Sequence, residues 1–215
     1  IGAGNGTEYS YFGQSGHPGD ETTDFCPWQA SGLTKSPAYS PNKGMRDTRF
    51  QELAAQLAGY STALRPGDRV LLELTDIPEE MGVALIREVR AAGALPFLRL
   101  NQTRLNREML SGAVEEQYEA IARHRMAEME DMDAYIEIRG GGNAFEFSSV
   151  PQKNMATAMK ALNPVSQRRI RHTRWCGLRW PSEGMAQQAA MSTEEFEDFY
   201  FHTCLMNYGA LRPAM

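Results

Sequence analysis

From Asp47 onward the chain alternates between two hydrophobic periods, and this alternation limits the possible folds more than any other feature. Phe50, Leu53, Ala54, Leu57, Ala58, Ser61 and Leu64 recur at the spacing of one helix face. Pro66-Gly67-Asp68 then reads as a turn, with proline presetting one φ and glycine taking the positive φ of a type II turn. Val70 to Leu74 is a nearly continuous apolar run, the kind buried on both faces of a parallel sheet. Pro78 can open a second helix, in which Met81, Leu85 and Val89 share a face and Gly93 ends the element. Leu95 to Leu100 is a second strand, and Val114, Tyr118, Ile121, Ala122, Met129 and Met132 mark a long helix. Ala134 to Ile138 is a third strand.

Residues 151–171 read as one or two helices, with an interruption expected near Asn163-Pro164, because proline disfavours a helical residue before it. Cys176 to Arg179 is a fourth strand, ending at a tight Trp180-Pro181 turn. A short helical segment bearing Met185 and Gln187 follows, and then a last helix from Thr193 to about Tyr208. Ser192 and Glu195 form a capping box at its start. Phe196, Phe199, Tyr200, Cys204 and Tyr208 make its apolar stripe, with Phe201, Leu205 and Met206 off it. So wide an apolar circumference expects burial from more than one side, and part of it, with Leu211 and Met215, is expected to be exposed in this chain. Strands alternating with helices imply a doubly wound α/β fold, with a mainly parallel sheet and helices on both faces.

Residues 1–44 differ from the rest. Glycines and prolines are scattered among Ser and Thr without helical or strand period, a composition that buries too little apolar surface to offset ordering entropy. They read as a low-complexity leader outside the native fold, with a genuine N-terminal extension as the alternative. Met45 opens the patterned part, so the domain is taken as residues 45–215.

A net charge of −5 and a sequence pI near 5.5 argue against general nucleic-acid binding, which needs net basic surface. No apolar run approaches the ~18 residues that span a bilayer, and the start does not resemble a secretory signal, so the expectation is a cytoplasmic protein without a membrane segment. Cys26, Cys176 and Cys204 are odd in number and widely spaced, and read as free thiols.

His17, His124, His172 and His202 have no histidine partner at helical spacing, so they do not form a metal motif, although Asp198 could pair with His202 one turn away. Arg139-Gly140-Gly141-Gly142-Asn143 follows the third strand. The run is neither a dinucleotide fingerprint nor a P-loop and reads as a flexible loop, with a phosphate-facing loop as the alternative. The basic run Arg168 to Arg174 beside Trp175 reads as a solvated helix end whose arginine stems cover the indole, with RNA binding as the rival.

The string from Trp175 to Tyr200 resembles the signature of the thermophilic aminopeptidase family, the aminopeptidase S and T metallopeptidases. The resemblance rests on Pro181, on Met185, Ala186 and Gln187, and on Met191 to Tyr200. Leu64 to Leu71 and Ala91 to Pro96 are similar to earlier family segments, so the likeness runs from about Arg46 to Met215. It implies a metal-dependent exopeptidase that removes N-terminal amino acids from peptides and works as a homodimer with two divalent ions, zinc, cobalt or manganese. The family's metal ligands lie in a C-terminal domain whose motifs do not occur here. No catalytic, cofactor-binding or metal residue is therefore carried over, and the chain is expected to be the N-terminal α/β domain, inactive and metal-free by itself. The alternative is a freestanding α/β module binding a small molecule or phosphate through Gly140 to Gly142.

Overall fold

The computed structural model describes residues 47–206. The leader at residues 1–44 therefore lies outside the described residues, as do Tyr208, Leu211, Met215, His17 and Cys26. Four strands, β1 (Arg69–Thr75), β2 (Leu95–Asn101), β3 (Ala134–Arg139) and β4 (Arg174–Arg179), form one sheet. Its order is β2-β1-β3-β4, and every neighbouring pair is parallel. The helices are α1 (Thr48–Gln56), α2 (Glu79–Ala91), α3 (Thr103–Ser111), α4 (Glu115–Glu130), α5 (Gln152–His172), α6 (Glu183–Gln188) and α7 (Thr193–Cys204). A parallel α/β fold with helices on both faces is the observed architecture.

The period-2 alternation of the central strands builds two cores. Val70, Leu72 and Leu74 of β1, with Ala134, Ile136 and Ile138 of β3, meet Leu53 of α1, Met81, Leu85 and Val89 of α2, and Phe201 of α7. Leu71 and Tyr135 point the other way, against Met129, Met132 and Val165 from the α4 and α5 side. Each fully buried Leu, Val or Ile contributes about 1.5–3 kcal/mol relative to exposure.

Local signals set the ends of the elements. The Asp47 carboxylate accepts from the Arg49 N–H and caps α1. Gly67 takes φ 87° in the turn before β1, and Gly93 takes φ 76° after α2. Ser192 and Glu195 close both bonds of the capping box on α7.

Four details depart from the sequence reading. The first helix ends at Gln56 and passes into a wider π-helical turn over Leu57–Ser61, instead of continuing to Leu64. Helix α5 runs unbroken through Pro164. Burial of Ala158 and Val165 on either side outweighs the missing N–H, which in an exposed helix interior would cost about 3 kcal/mol. Strand β2 exists as expected but is the sheet's edge, and its Leu100 is 71% exposed. On α7 the buried face runs through Phe196, Tyr200 and Phe201, so Phe201 is 1% exposed and Phe199, placed on the stripe, is 56% exposed. Phe201 is drawn inward by a ring cluster with Phe50, Trp180 and Tyr200.

Candidate functional site

The chain leaves β1 for β2 through α2 on one face and returns from β2 to β3 through α3 and α4. The carboxyl ends of β1 and β3 therefore flank the point where strand order reverses, the place where open α/β sheets bind ligands. The backbone there is built tightly. Asp76, just past β1, adopts φ 47°, and its N–H donates to the Asn101 carbonyl at 3.3 Å. Its carboxylate accepts the Thr103 N–H at 3.0 Å and so caps α3 from a distant part of the chain. The Gly140 N–H donates to the Thr75 carbonyl at 2.7 Å. A Cβ at Gly140 would overlap the Asp76 carbonyl oxygen, and one at Gly184 would overlap the Gly142 carbonyl. Gly141 takes φ 120°. The glycine run is thus wedged between the exit of β1 and the first turn of α6, and the close approach requires residues without Cβ.

Beside this loop the α4/α5 face of the sheet turns polar. Glu73 accepts from Arg99 Nη1 at 2.9 Å, from the Tyr135 hydroxyl at 2.9 Å and from Asn101 Nδ2 at 3.0 Å. Arg99 also pairs with Glu128. Glu137, the register neighbour of Glu73, lies 3.5 Å from Arg139 Nε and 3.7 Å from Arg169 Nη1. Burial pushes the Glu137 carboxyl above the usual range against the pull of Arg139, and the nearby Glu73 adds to the rise. Burial, then the Glu73 and Glu137 charges, push the Tyr135 hydroxyl up as well, so it stays a proton donor to Glu73. The Arg169 guanidinium sits 4.7 Å above the Tyr135 ring and 5.6 Å from the Trp175 ring. Its buried Nε finds no hydrogen-bond partner among the described residues.

A cavity of about 470 Å³ opens at these strand ends, lined by Glu73, Glu137, Arg125, Arg139, Arg179 and the Gly140 to Gly142 loop among others. A second hollow of about 150 Å³ lies under α4 and α5 and shares Glu73, Arg125 and Glu137 with it.

The other sequence candidates scatter. Asp198 pairs with Arg49 at 2.8 Å, not with His202, and His202 lines a surface depression beside Arg49. His124 and His172 are exposed on α4 and at the end of α5. The arginine run is divided by the fold. Arg169 stacks inward, Arg174 bonds Asp68 at 2.6 Å and the Ala63 carbonyl at 2.6 Å, and Arg168 reaches the Glu130 carbonyl. Arg171, the remaining arginine of the run, is exposed. Cys176 and Cys204 are free thiols, both pushed up by burial.

A pair of divalent ions needs several converging carboxylates and imidazoles. Among the described residues no three His, Cys, Asp or Glu side chains converge to hold a metal. The carboxylates at the strand ends, Glu73 and Glu137, sit instead among Arg99, Arg125, Arg139 and Arg169, a set that repels a cation. The described residues do not form a set that fits the family's metal ions.

The fold and its strand-end cavity define a doubly wound parallel α/β protein. The chain belongs to the thermophilic metalloprotease (M29) family, whose model matches residues 46–209. Wild-type AmpT from Thermus thermophilus shares the fold, with 16% identity and a TM-score of 0.51, over 74% of this chain and 43% of that one. The chain thus spans less than half the length of AmpT. A putative LacI-family transcription repressor from Corynebacterium glutamicum aligns at 13% identity over 73% of this chain and 54% of that one. Its TM-score of 0.36 is too low to carry an argument. No curated protein sequence matches the chain. No helix among the described residues is long and apolar enough to cross a membrane.

Proposed function

We propose that residues 45–215 are the N-terminal α/β part of a metal-dependent aminopeptidase that removes N-terminal amino acids from peptides. The observation that carries this reading is the family match over residues 46–209. Two divalent ions, zinc, cobalt or manganese, would polarise the peptide carbonyl and supply activated water in such an enzyme. They would be held by residues outside 47–206, in keeping with the arginine-rich strand ends described above. The role of this part is then to support the catalytic half, in a cytoplasmic homodimer, and the chain alone is inactive.

The test uses the chain as it stands. It is purified, loaded with zinc, cobalt or manganese and dialysed, and metal content and leucyl-p-nitroanilide cleavage are then measured. No stoichiometric metal and no cleavage are expected. Retained metal with cleavage would place catalytic ligands inside this chain and end the proposal.

A further inference from the structure

We propose that the cavity at the carboxyl ends of β1 and β3 binds the oxyanion of a small organic molecule, whose apolar body packs against α3 and α4. Four observations converge on this. First, Arg125 and Arg179 both line the cavity, and neither has an ion-pair or hydrogen-bond partner among the described residues. Two unspent guanidiniums in one cleft are a standing attraction for carboxylate or phosphate, which they can grip through paired N–H bonds.

Second, the N–H groups of Gly141 and Gly142 meet no acceptor among the described residues, while the neighbouring Gly140 N–H is spent on Thr75. Gly140 and Gly184 admit no Cβ, so the loop that carries these donors is held in place by its own packing. A glycine loop past a strand end, with open N–H donors, is a form that oxyanion sites take.

Third, the carboxylates in the cavity wall have cations beside them that offset their charge. Glu73 is closed off by Arg99, Tyr135 and Asn101, and Glu137 lies against Arg139 and Arg169. Fourth, about 470 Å³ is the size of a metabolite pocket, and Met109, Leu110, Ile121 and Leu162 give it an apolar wall. The usual helix-end route to anion binding is not the one used, because the Asp76 carboxylate already occupies the start of α3.

The inference is independent of the peptidase reading. Loss of ligand binding would leave metal-dependent cleavage untested and untouched, and the reverse also holds.

Isothermal titration of the full chain at low ionic strength tests it, with adenosine 5′-monophosphate, 4-methylpentanoate and neutral adenosine as probes. Saturable binding of at least one anion is expected, with none for adenosine. Binding of the nucleotide alone assigns a phosphate, and binding of 4-methylpentanoate alone assigns a carboxylate. Arg125→Met and Arg179→Met should each weaken the anion about tenfold or more, as expected for removal of a charged hydrogen bond. Arg87→Met removes the same charge from an exposed position of α2, on the opposite face of the sheet, and should leave affinity unchanged. Circular dichroism checks each fold. Arg179 is exposed and unpaired, so its variant carries the test even if Arg125→Met misfolds. No saturable binding of either anion, equal binding of adenosine, or equal weakening by Arg87→Met would overturn the proposal.

Discussion

The two faces of the sheet are made by the same strands and behave differently. Under α1, α2 and α7 the central strands contribute Val70, Leu72, Leu74, Ala134, Ile136 and Ile138, all buried and apolar along their whole length. Under α4 and α5 the alternate residues begin the same way, with Leu71 and the Tyr135 ring, and become acidic at Glu73 and Glu137 before ending at the glycine loop. One set of alternate positions stabilises the fold. The other gives up part of its apolar contact to place charge at the strand ends, where α4 and α5 shield it from water and so strengthen each charge's effect on its neighbours. Stability and binding are therefore separable by face, and substitutions can probe that separation.

The largest effect belongs to the dry face. Leu72→Ala should cost about 3 kcal/mol, within the range for buried Leu→Ala changes, read from urea unfolding. The folded variant should still bind anion as the parent does. A loss of affinity equal to that of Arg179→Met would show that the faces are coupled.

Gly140→Ala should cost about 2 kcal/mol, the order expected when a side chain is forced into occupied space, because its Cβ would overlap the Asp76 carbonyl. Unlike Leu72→Ala it should also weaken anion binding, since the loop must shift. Unchanged affinity and midpoint would mean that the close approach has no role in shaping the cavity.

Ser192→Ala, at the start of α7 on the dry side, removes one side of the capping box. It should cost about 1 kcal/mol, with faster hydrogen exchange confined to α7.

Glu137→Gln should give the smallest effect, and of opposite sign at neutral pH. Burial raises the carboxyl in the folded state, so the native protein holds that proton more readily than the unfolded chain. The stability this contributes is present below the usual carboxylate range and lost as pH rises through the raised folded value. Replacing the group with neutral glutamine removes that loss. A small gain in thermal midpoint is expected at pH 7, fading below about pH 4, where the parent carboxyl is itself protonated. A loss at neutral pH would mean that Arg139 and Arg169 hold the carboxylate more strongly than burial opposes it.

Strand and helix positions were legible in the sequence wherever the signal was local and periodic. The runs at Val70 to Leu74 and Ala134 to Ile138, the helix face of Met81, Leu85 and Val89, the positive-φ glycines at 67 and 93, and the Ser192–Glu195 box all appear as read. Helix α3 escaped notice because it buries no residue and is capped by Asp76 from another element, so neither of its usual markers lies in its own sequence. The site was only half legible. The glycine run stood out, but its partners Glu73, Arg125 and Arg179 come from β1, α4 and β4, and their joint presence depends on strand order.

By itself, then, the sequence determined the four strands, the helices other than α3, the parallel α/β class, and the family through the Trp175 to Tyr200 string, because those features depend on neighbours within a few residues. The tertiary structure alone decided that Pro164 stays inside a helix, that Phe201 is buried in place of Phe199, and that β2 is an edge. It also decided that the glycine loop, Arg125 and Arg179 line one cavity. Each of those outcomes depends on what a distant segment packs against, and residue spacing along the chain carries no record of that.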